Sequence, residues 1–274
     1  MKTRILTGVP AALALLALIL WGPNGLLRSV TIVFSALAYW EFDSLMFHRK
    51  SLFRKGFVAT LLGIQIFLLG FDSVLAFHFW ILSTVLLLMG GVLGEARKGH
   101  FQNAIQETST QWLGFGYVSL LFGFLYNIVS WPQMGRLYLL FLFLLVFLGD
   151  TAAYFVGTKF GKRKLASEIS PKKTIEGASG AILTCVITAV AWCIFLLPGG
   201  LSSPDAWKLI AFAPFLSVLA QLGDLFESVL KRSQSQKDSG AFLPGHGGIL
   251  DRIDGLVFSS PIFYLFIYFF LEDF

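Results

Sequence analysis

The sequence predicts an all-α, polytopic integral membrane protein with about nine transmembrane helices and a cytoplasmic N-terminus. Three observations carry that prediction. Of 274 residues, 56% are hydrophobic and only 14% charged, and the mean hydropathy is +0.74, whereas soluble domains are nearer a quarter charged. Apolar runs long enough for a membrane helix recur along the chain. Basic residues collect in alternate connecting segments.

Taken in order, the runs cover roughly 5–21, 26–42, 56–71, 74–93, 111–130, 137–157, 177–198, 207–230 and 255–271, each near the ~20 residues that cross a bilayer as helix. None alternates with period two, so a β-barrel is not expected. The first run follows Lys2 and Arg4 but has no small-x-small cleavage site before "GPNG", and reads as a retained helix and not a signal peptide. The third is short and is expected to tilt differently or lie partly in the interface. With the N-terminus inside, every Lys and Arg of the 21 except Arg28, Arg136 and Lys208 falls on the cytoplasmic side. The net charge of +5 follows from this bias and from contact with anionic lipid. It does not call for a nucleic-acid partner.

Cys185 and Cys193 lie in one predicted helix, about 12 Å apart along its axis, too far to pair. With Gly177, Ala181 and Ala189 they form a small residue at every fourth position, a pattern that lets membrane helices approach closely.

No repeat or long linker divides the chain, yet its parts differ. Residues 1–110 hold four spans whose cytosolic connections, "EFDSLMFHRKSLFRK" and "GEARKGHFQNAIQETST", read as solvated surface. Residues 111–274 hold the unusual chemistry, with cytosolic loops at 158–176 and 231–254. Asp150 interrupts the apolar "VFLGDTAAYFVG", where a carboxylate at helix centre costs about 2.5–3.5 kcal/mol. A bundle hydrogen bond is the plain structural account; the direct run into a basic segment favours a site. In "QLGDLFESVLKR", Asp224, Glu227 or Ser228, and Lys231 share one helix face. Leu222, Leu225, Phe226, Val229 and Leu230 cover the rest, so the polar stripe must face protein or a water-filled cavity. "ILDRIDG" places Asp251 and Asp254 three apart. Acid pairs bracketing a glycine-rich basic segment suit a hard cation such as Mg²⁺, which takes one or two carboxylates and leaves the remainder to water and phosphate.

The segment "GTKFGKRKLASEISPKKTIEGASG" lacks G-x-x-x-x-G-K-[ST], so it is not a P-loop. Lys162, Arg163 and Lys164 are accounted for by topology alone. "SPKKTIEG" is a tighter unit: Lys172 and Lys173 stand beside the hydroxyls of Ser170 and Thr174, with Glu176 following, just before a helix N-terminus suited to phosphate. His246, in "PGHGG", has no companion at zinc spacing and suits positioning by hydrogen bonds. Gly247 and Gly248 permit close backbone approach to a ligand.

From Ser228 to Asp254 the chain reads S-x-x-K-R-x₄-K-D-x-G-x₂-L-P-x-H-G-G-x₂-D-R-x-D without a break. This resembles the signature of the phosphatidate cytidylyltransferase (CDP-diglyceride synthetase) family, and "GDTAAYFVG" and "SPKKTIEG" are similar to its other recurrent segments. The likeness is specific over residues 145–260. It implies transfer of CMP from CTP to phosphatidic acid, giving CDP-diacylglycerol and pyrophosphate, by a Mg²⁺-dependent membrane enzyme that can form a homodimer. Such enzymes usually occupy the bacterial cytoplasmic membrane, with the site facing the cytosol. Carried over, Asp224 and Asp251 become the metal carboxylates, with K⁺ as an additional cation. Lys172, Lys173, Lys231 and Arg232 become phosphate contacts. The substrate-lining set is Asp150, Ser170, Thr174, Glu176, Glu227, Ser228, Lys237, Asp238, His246, Gly247, Gly248, Arg252 and Asp254. Two rivals remain open: a CTP-dependent lipid-alcohol kinase, whose product would be CDP, and a secondary transporter, which would be expected to show inverted repeats.

Overall fold

The computed structural model describes residues 2–47, 51–97, 99, 101–240 and 247–271. Among them run nine helices: α1 (Lys2–Trp21), α2 (Asn24–Met46), α3 (Leu52–Leu68), α4 (Ser73–Arg97), α5 (Phe101–Val129), α6 (Gly135–Phe160), α7 (Ile175–Phe195), α8 (Pro204–Ser233) and α9 (Leu250–Phe270). Every apolar run read from the sequence lies on one of them. Six, α4 to α9, are long and apolar enough to cross a membrane by length and composition.

The departure from an all-helical chain falls in the basic segment. Strands β1 (Lys164–Ala166) and β2 (Ser170–Thr174) form an antiparallel hairpin between α6 and α7. Pro171 has no N–H for a helical ladder and is tolerated on an edge strand. Thr174 then caps α7, its Oγ1 accepting from Gly177 N at 3.1 Å. "SPKKT" is therefore a strand held at a helix N-terminus and not a loop.

The small-residue stripe is the buried face of α7: Gly177, Ala181, Cys185, Ala189 and Cys193 are all buried. It packs on α6, where a Cβ added at Gly149 would lie 3.1 Å from Cys185 Sγ, and one at Gly177 only 2.7 Å from Ala153 O. Both cysteines are free, and each thiol points at a backbone carbonyl, Leu145 O and Ala206 O respectively. Pro261, inside α9, cannot donate to Val257 O; the neighbouring Ser260 hydroxyl lies 2.7 Å from that carbonyl and 2.8 Å from Leu121 O, so the freed acceptor is satisfied where no water is needed.

Two apolar clusters result. One joins α1, α6, α7, α8 and α9 around Phe141, Leu142, Leu145 and Phe263. The other packs α2, α3 and α5 around Tyr39, Phe42, Phe115 and Phe122, and takes in Leu230, Leu250 and Val257 from α8 and α9.

The first of the connections read as solvated surface is corrected here, and the second only at Glu95, Ala104 and Thr108. Asp43 is fully buried, and Arg54 Nε donates to its Oδ1 at 2.7 Å, with Lys55 Nζ 3.8 Å from Oδ2. Glu41, Lys55 and Glu95 are buried as well. Asp43 on α2 is neutralised by Arg54 and Lys55 on α3, which lets these three charges enter the bundle end.

Gly180 tests the packing account, since its Cβ would lie 2.7 Å from a methyl of the stiff Val156 side chain. Gly180→Ala should lower the apparent melting temperature in detergent by a few degrees, in line with overpacking costs of about 1–3 kcal/mol. Gly90→Ala, which meets nothing within 4 Å, should leave it unchanged or raise it.

Candidate active site

The polar stripe on α8 organises the site. Glu227, Ser228 and Lys231 are buried and Asp224 is half-buried, so the stripe faces protein as the surrounding apolar residues require. Ser228 Oγ lies 3.5 Å from Asp224 Oδ1. Glycines beside the acids bring α8 and α9 together: a Cβ at Gly223 would lie 2.7 Å from Asp254 O, and one at Gly255 would lie 3.2 Å from Ala220 O. The acids next to them, Asp224 and Asp254, are held at the same crossing.

From the other side β2 delivers Lys173, whose Nζ lies 2.5 Å from Asp224 Oδ2. The contact is an ion pair, and no other acceptor among the described residues lies on this ammonium. Asp150, Asp224 and Asp254 lie within electrostatic range of one another, and Lys173 acts on Asp150 as well. Lys172, one residue before, is exposed. Arg232 Nε donates to Ile169 O at 3.3 Å, and a second guanidinium nitrogen donates to Gln236 O at 3.0 Å. The arginine thus joins the hairpin to the end of α8.

A second knot lies beside the first. Lys231 Nζ is 2.5 Å from Asp251 Oδ1 and 3.6 Å from Glu227 Oε1. Asp251 Oδ2 accepts from Ser239 N, Ser239 Oγ and Gly248 N, each at 2.9 Å. Gly247, at φ 82°, would push a Cβ to 2.7 Å from the same oxygen, so glycine is required there on both counts. Lys237, Asp238 and Arg252 are exposed at this end of the bundle. His246 lies outside the described residues.

Two members of the expected site have internal partners. The Glu176 carboxylate accepts from Lys162 N at 3.0 Å, and from Arg163 N and Nε at 3.2 Å each. It closes the turn between α6 and β1. Thr174 is the cap of α7. Ser170, half-buried, pairs with Ala166 at the hairpin's turn end.

A divalent cation fits this donor set in one specific way. Among the described residues no three His, Cys, Asp or Glu side chains converge to ligate an ion by themselves. Glu227, however, is fully buried with Lys231 Nζ 3.6 Å from its Oε1 and the Asp254 carboxyl against it, and Asp224 adds another acid beside Asp254. Such a cluster suits an ion that takes one or two carboxylates and completes its shell with water and phosphate oxygens, as Mg²⁺ does.

Reasoning from sequence missed Glu41. This α2 side chain, in the part read as unremarkable, accepts from Leu250 N at 3.0 Å at the start of α9. A carboxylate one turn inside an apolar helix end, in "YWEFD", was the available signal.

An apolar helix bundle with six helices fit to span a membrane, and with cations and carboxylates gathered at one end, is the architecture of a multi-pass membrane protein with a charged candidate site. Residues 2–270 match the cytidylyltransferase family, and the chain belongs to that family. It is 36% identical over 271 residues to the phosphatidate cytidylyltransferase of Bacillus subtilis, covering 96% of each chain. To that of Staphylococcus saprophyticus it is 36% identical over 268 residues, 96% of this chain and 97% of the relative. For Staphylococcus epidermidis the values are 35% and 267 residues.

If β2 supplies phosphate contacts, Lys172→Ala and Lys173→Ala should each lower cytidylyl transfer at least ~10-fold, a barrier increase of about 1.4 kcal/mol. Lys162→Ala should stay within about twofold. Equal, small losses in all three rates would show that the basic segment serves orientation in the membrane alone.

Proposed function

We propose that the protein is a phosphatidate cytidylyltransferase, converting CTP and phosphatidic acid into CDP-diacylglycerol and pyrophosphate. The observation that carries this reading is the meeting of Lys173 with Asp224, which brings the "SPKKT" strand against the acidic stripe at the bundle end, in a chain of the cytidylyltransferase family.

A phosphatidate oxygen attacks the α-phosphorus of CTP while pyrophosphate leaves in line. The attacking phosphate is already an anion at neutral pH, so no strong general base is required. What the reaction needs is neutralisation and alignment of two anions. Lys172, Lys173, Lys231 and Arg232 are proposed to hold phosphate oxygens. Asp150, Ser170, Thr174, Glu176, Glu227, Ser228, Lys237, Asp238, His246, Gly247, Gly248, Arg252 and Asp254 are proposed to line or brace the site.

Mg²⁺ is the proposed cofactor, with Asp224 and Asp251 as its carboxylates and K⁺ as an additional cation. Bound there, Mg²⁺ would neutralise and orient the phosphates of CTP. Asp224 is the better disposed of the two: Lys173 sits on its Oδ2 and only Ser228, at 3.5 Å, on its Oδ1, whereas Asp251 Oδ2 already accepts three hydrogen bonds. Asp251 would join it only by giving up Lys231 at Oδ1. Residues 111–274 are proposed as the catalytic part, with residues 1–110 packed against it. Nine spans with a cytoplasmic N-terminus, a bacterial cytoplasmic membrane location and a homodimer complete the reading. A cytosol-facing site set into the bilayer serves a soluble nucleotide and a lipid together.

The test is incubation of purified protein with CTP, phosphatidate and Mg²⁺ while pyrophosphate and liponucleotide are followed. Release of CDP instead would identify a lipid kinase. Asp224→Asn, which keeps shape and loses charge, should abolish synthesis at ordinary Mg²⁺ with the protein still folded. Asp251→Asn should do the same, with several kcal/mol added to the barrier in each case. Asp254→Asn should reduce the rate through orientation of its neighbours. Near-normal rates and an unchanged Mg²⁺ dependence in both Asp224→Asn and Asp251→Asn would sink the shared-ion proposal.

Orientation is tested by cysteines placed at Ser235 and Ser202, both exposed, because Lys55 is buried. Labelling should reach Ser235 from the cytoplasmic side and Ser202 from the opposite side. If Ser235 labels only from outside, the cytosolic placement of the site is wrong.

A further inference from the structure

Helix α9 carries Asp251 and Asp254, yet it begins without a cap of its own. The residue before it, Ile249, offers no side-chain hydrogen bond. The N–H groups of a helix's first turn need acceptors, and an anion there is favoured by the helix dipole as well. Here the acceptor comes from another helix. Glu41 Oε2 accepts from Leu250 N at 3.0 Å across 209 positions of sequence, and the Ile249 N–H acts on the same carboxylate. Glu41 is 8% exposed. Its carboxylate sits so close to Gly240 that a Cβ added there would lie 2.8 Å from Oε1, and Gly248 is crowded by the same carboxylate.

Glu41 and Asp251 therefore grip the same short stretch from two directions. Asp251 holds Ser239 and Gly248; Glu41 reaches Ile249 and Leu250. Glu41 bridges α2 to the start of α9, and α2 is anchored by the Asp43–Arg54 pair two residues on. The rotation of the first turn of α9 decides whether Asp251 meets Lys231 and whether Asp254 lies beside Asp224 and Glu227.

We propose that Glu41 is a positioning residue for cytidylyl transfer, capping α9 from α2 and thereby holding the Lys231–Asp251 pair and Asp254 in register with Asp224. Glu41 touches no reacting atom; it acts through α9. The proposal rests on the functional reading above.

The experiment compares Glu41→Ala, Glu41→Asp and Glu41→Gln in the full-length protein. Each variant is assayed for kcat and for KM towards CTP, and for hydrogen–deuterium exchange in the peptide containing Ile249 and Leu250. Glu41→Gln keeps an acceptor at the same reach, so kcat should stay within about fivefold of the parent and exchange should remain slow. Glu41→Asp keeps the charge but withdraws it by one methylene, and Glu41→Ala removes it. Both should lose at least 30-fold in kcat with KM changed less than threefold, and exchange at the start of α9 should speed at least tenfold. Should Glu41→Ala fail to fold, Glu41→Asp decides.

The proposal is overturned by any of three results: kcat within twofold of the parent in the shortened variants, unchanged exchange at Leu250, or Glu41→Gln as impaired as Glu41→Asp. If the parent protein makes no liponucleotide, the functional reading fails separately, and the exchange arm still decides whether Glu41 caps α9.

Discussion

The ion pair between Lys173 and Asp224 locks the strand before α7 onto α8, beside the contact of Arg232 with Ile169 O. Lys173 sits on a short strand that leads into α7, and Asp224 on the last third of α8. Neither charge would be stable alone at the end of an apolar bundle, where a lone ion is costly. Together they leave Asp150, Asp254 and Glu227 as a surplus of acid facing one cation. That imbalance suits a site whose remaining positive charge arrives with its ligands.

Close backbone approach makes this concentration of charge feasible. Gly223 and Gly255 bring α8 against α9, while Gly157, Gly177 and the α7 stripe bring α7 against α6. In lipid there is no hydrophobic drive between apolar helices, so packing of small residues and interhelical polar contacts must hold them. The same contacts set where the acids stand. Ser260, serving the carbonyl that Pro261 leaves free, shows the rule extended to the backbone.

The N-terminal helices are tied into this arrangement more closely than their composition suggests. Tyr39, Phe42 and Phe122 share a core with Leu250 and Val257 of α9, and the buried acids of α2 each have a specific partner. Asp43 is matched by Arg54, which fixes the α2–α3 turn. Glu41 is matched by backbone donors of α9. Polar groups enter a bundle end when a partner meets them there, and from sequence alone their partners are invisible.

What the sequence by itself determined were properties that depend on local pattern. Apolar run length marked the helices, four-residue spacing marked the α7 face and the α8 stripe, and the unbroken Ser228–Asp254 signature marked the family. The hairpin at 164–174 escaped because three lysines and a proline describe a solvated loop as well as a strand; pairing is a non-local property. Which carboxylate faces which cation was decided only in three dimensions. Asp224 met Lys173 from a different segment, Asp251 turned to Lys231 and the backbone of its own loop, and Glu41 crossed from α2. Helix propensity and amphipathicity are read within one or two turns, whereas a charge in a low-dielectric interior takes its partner from whichever element packing brings within about 4 Å.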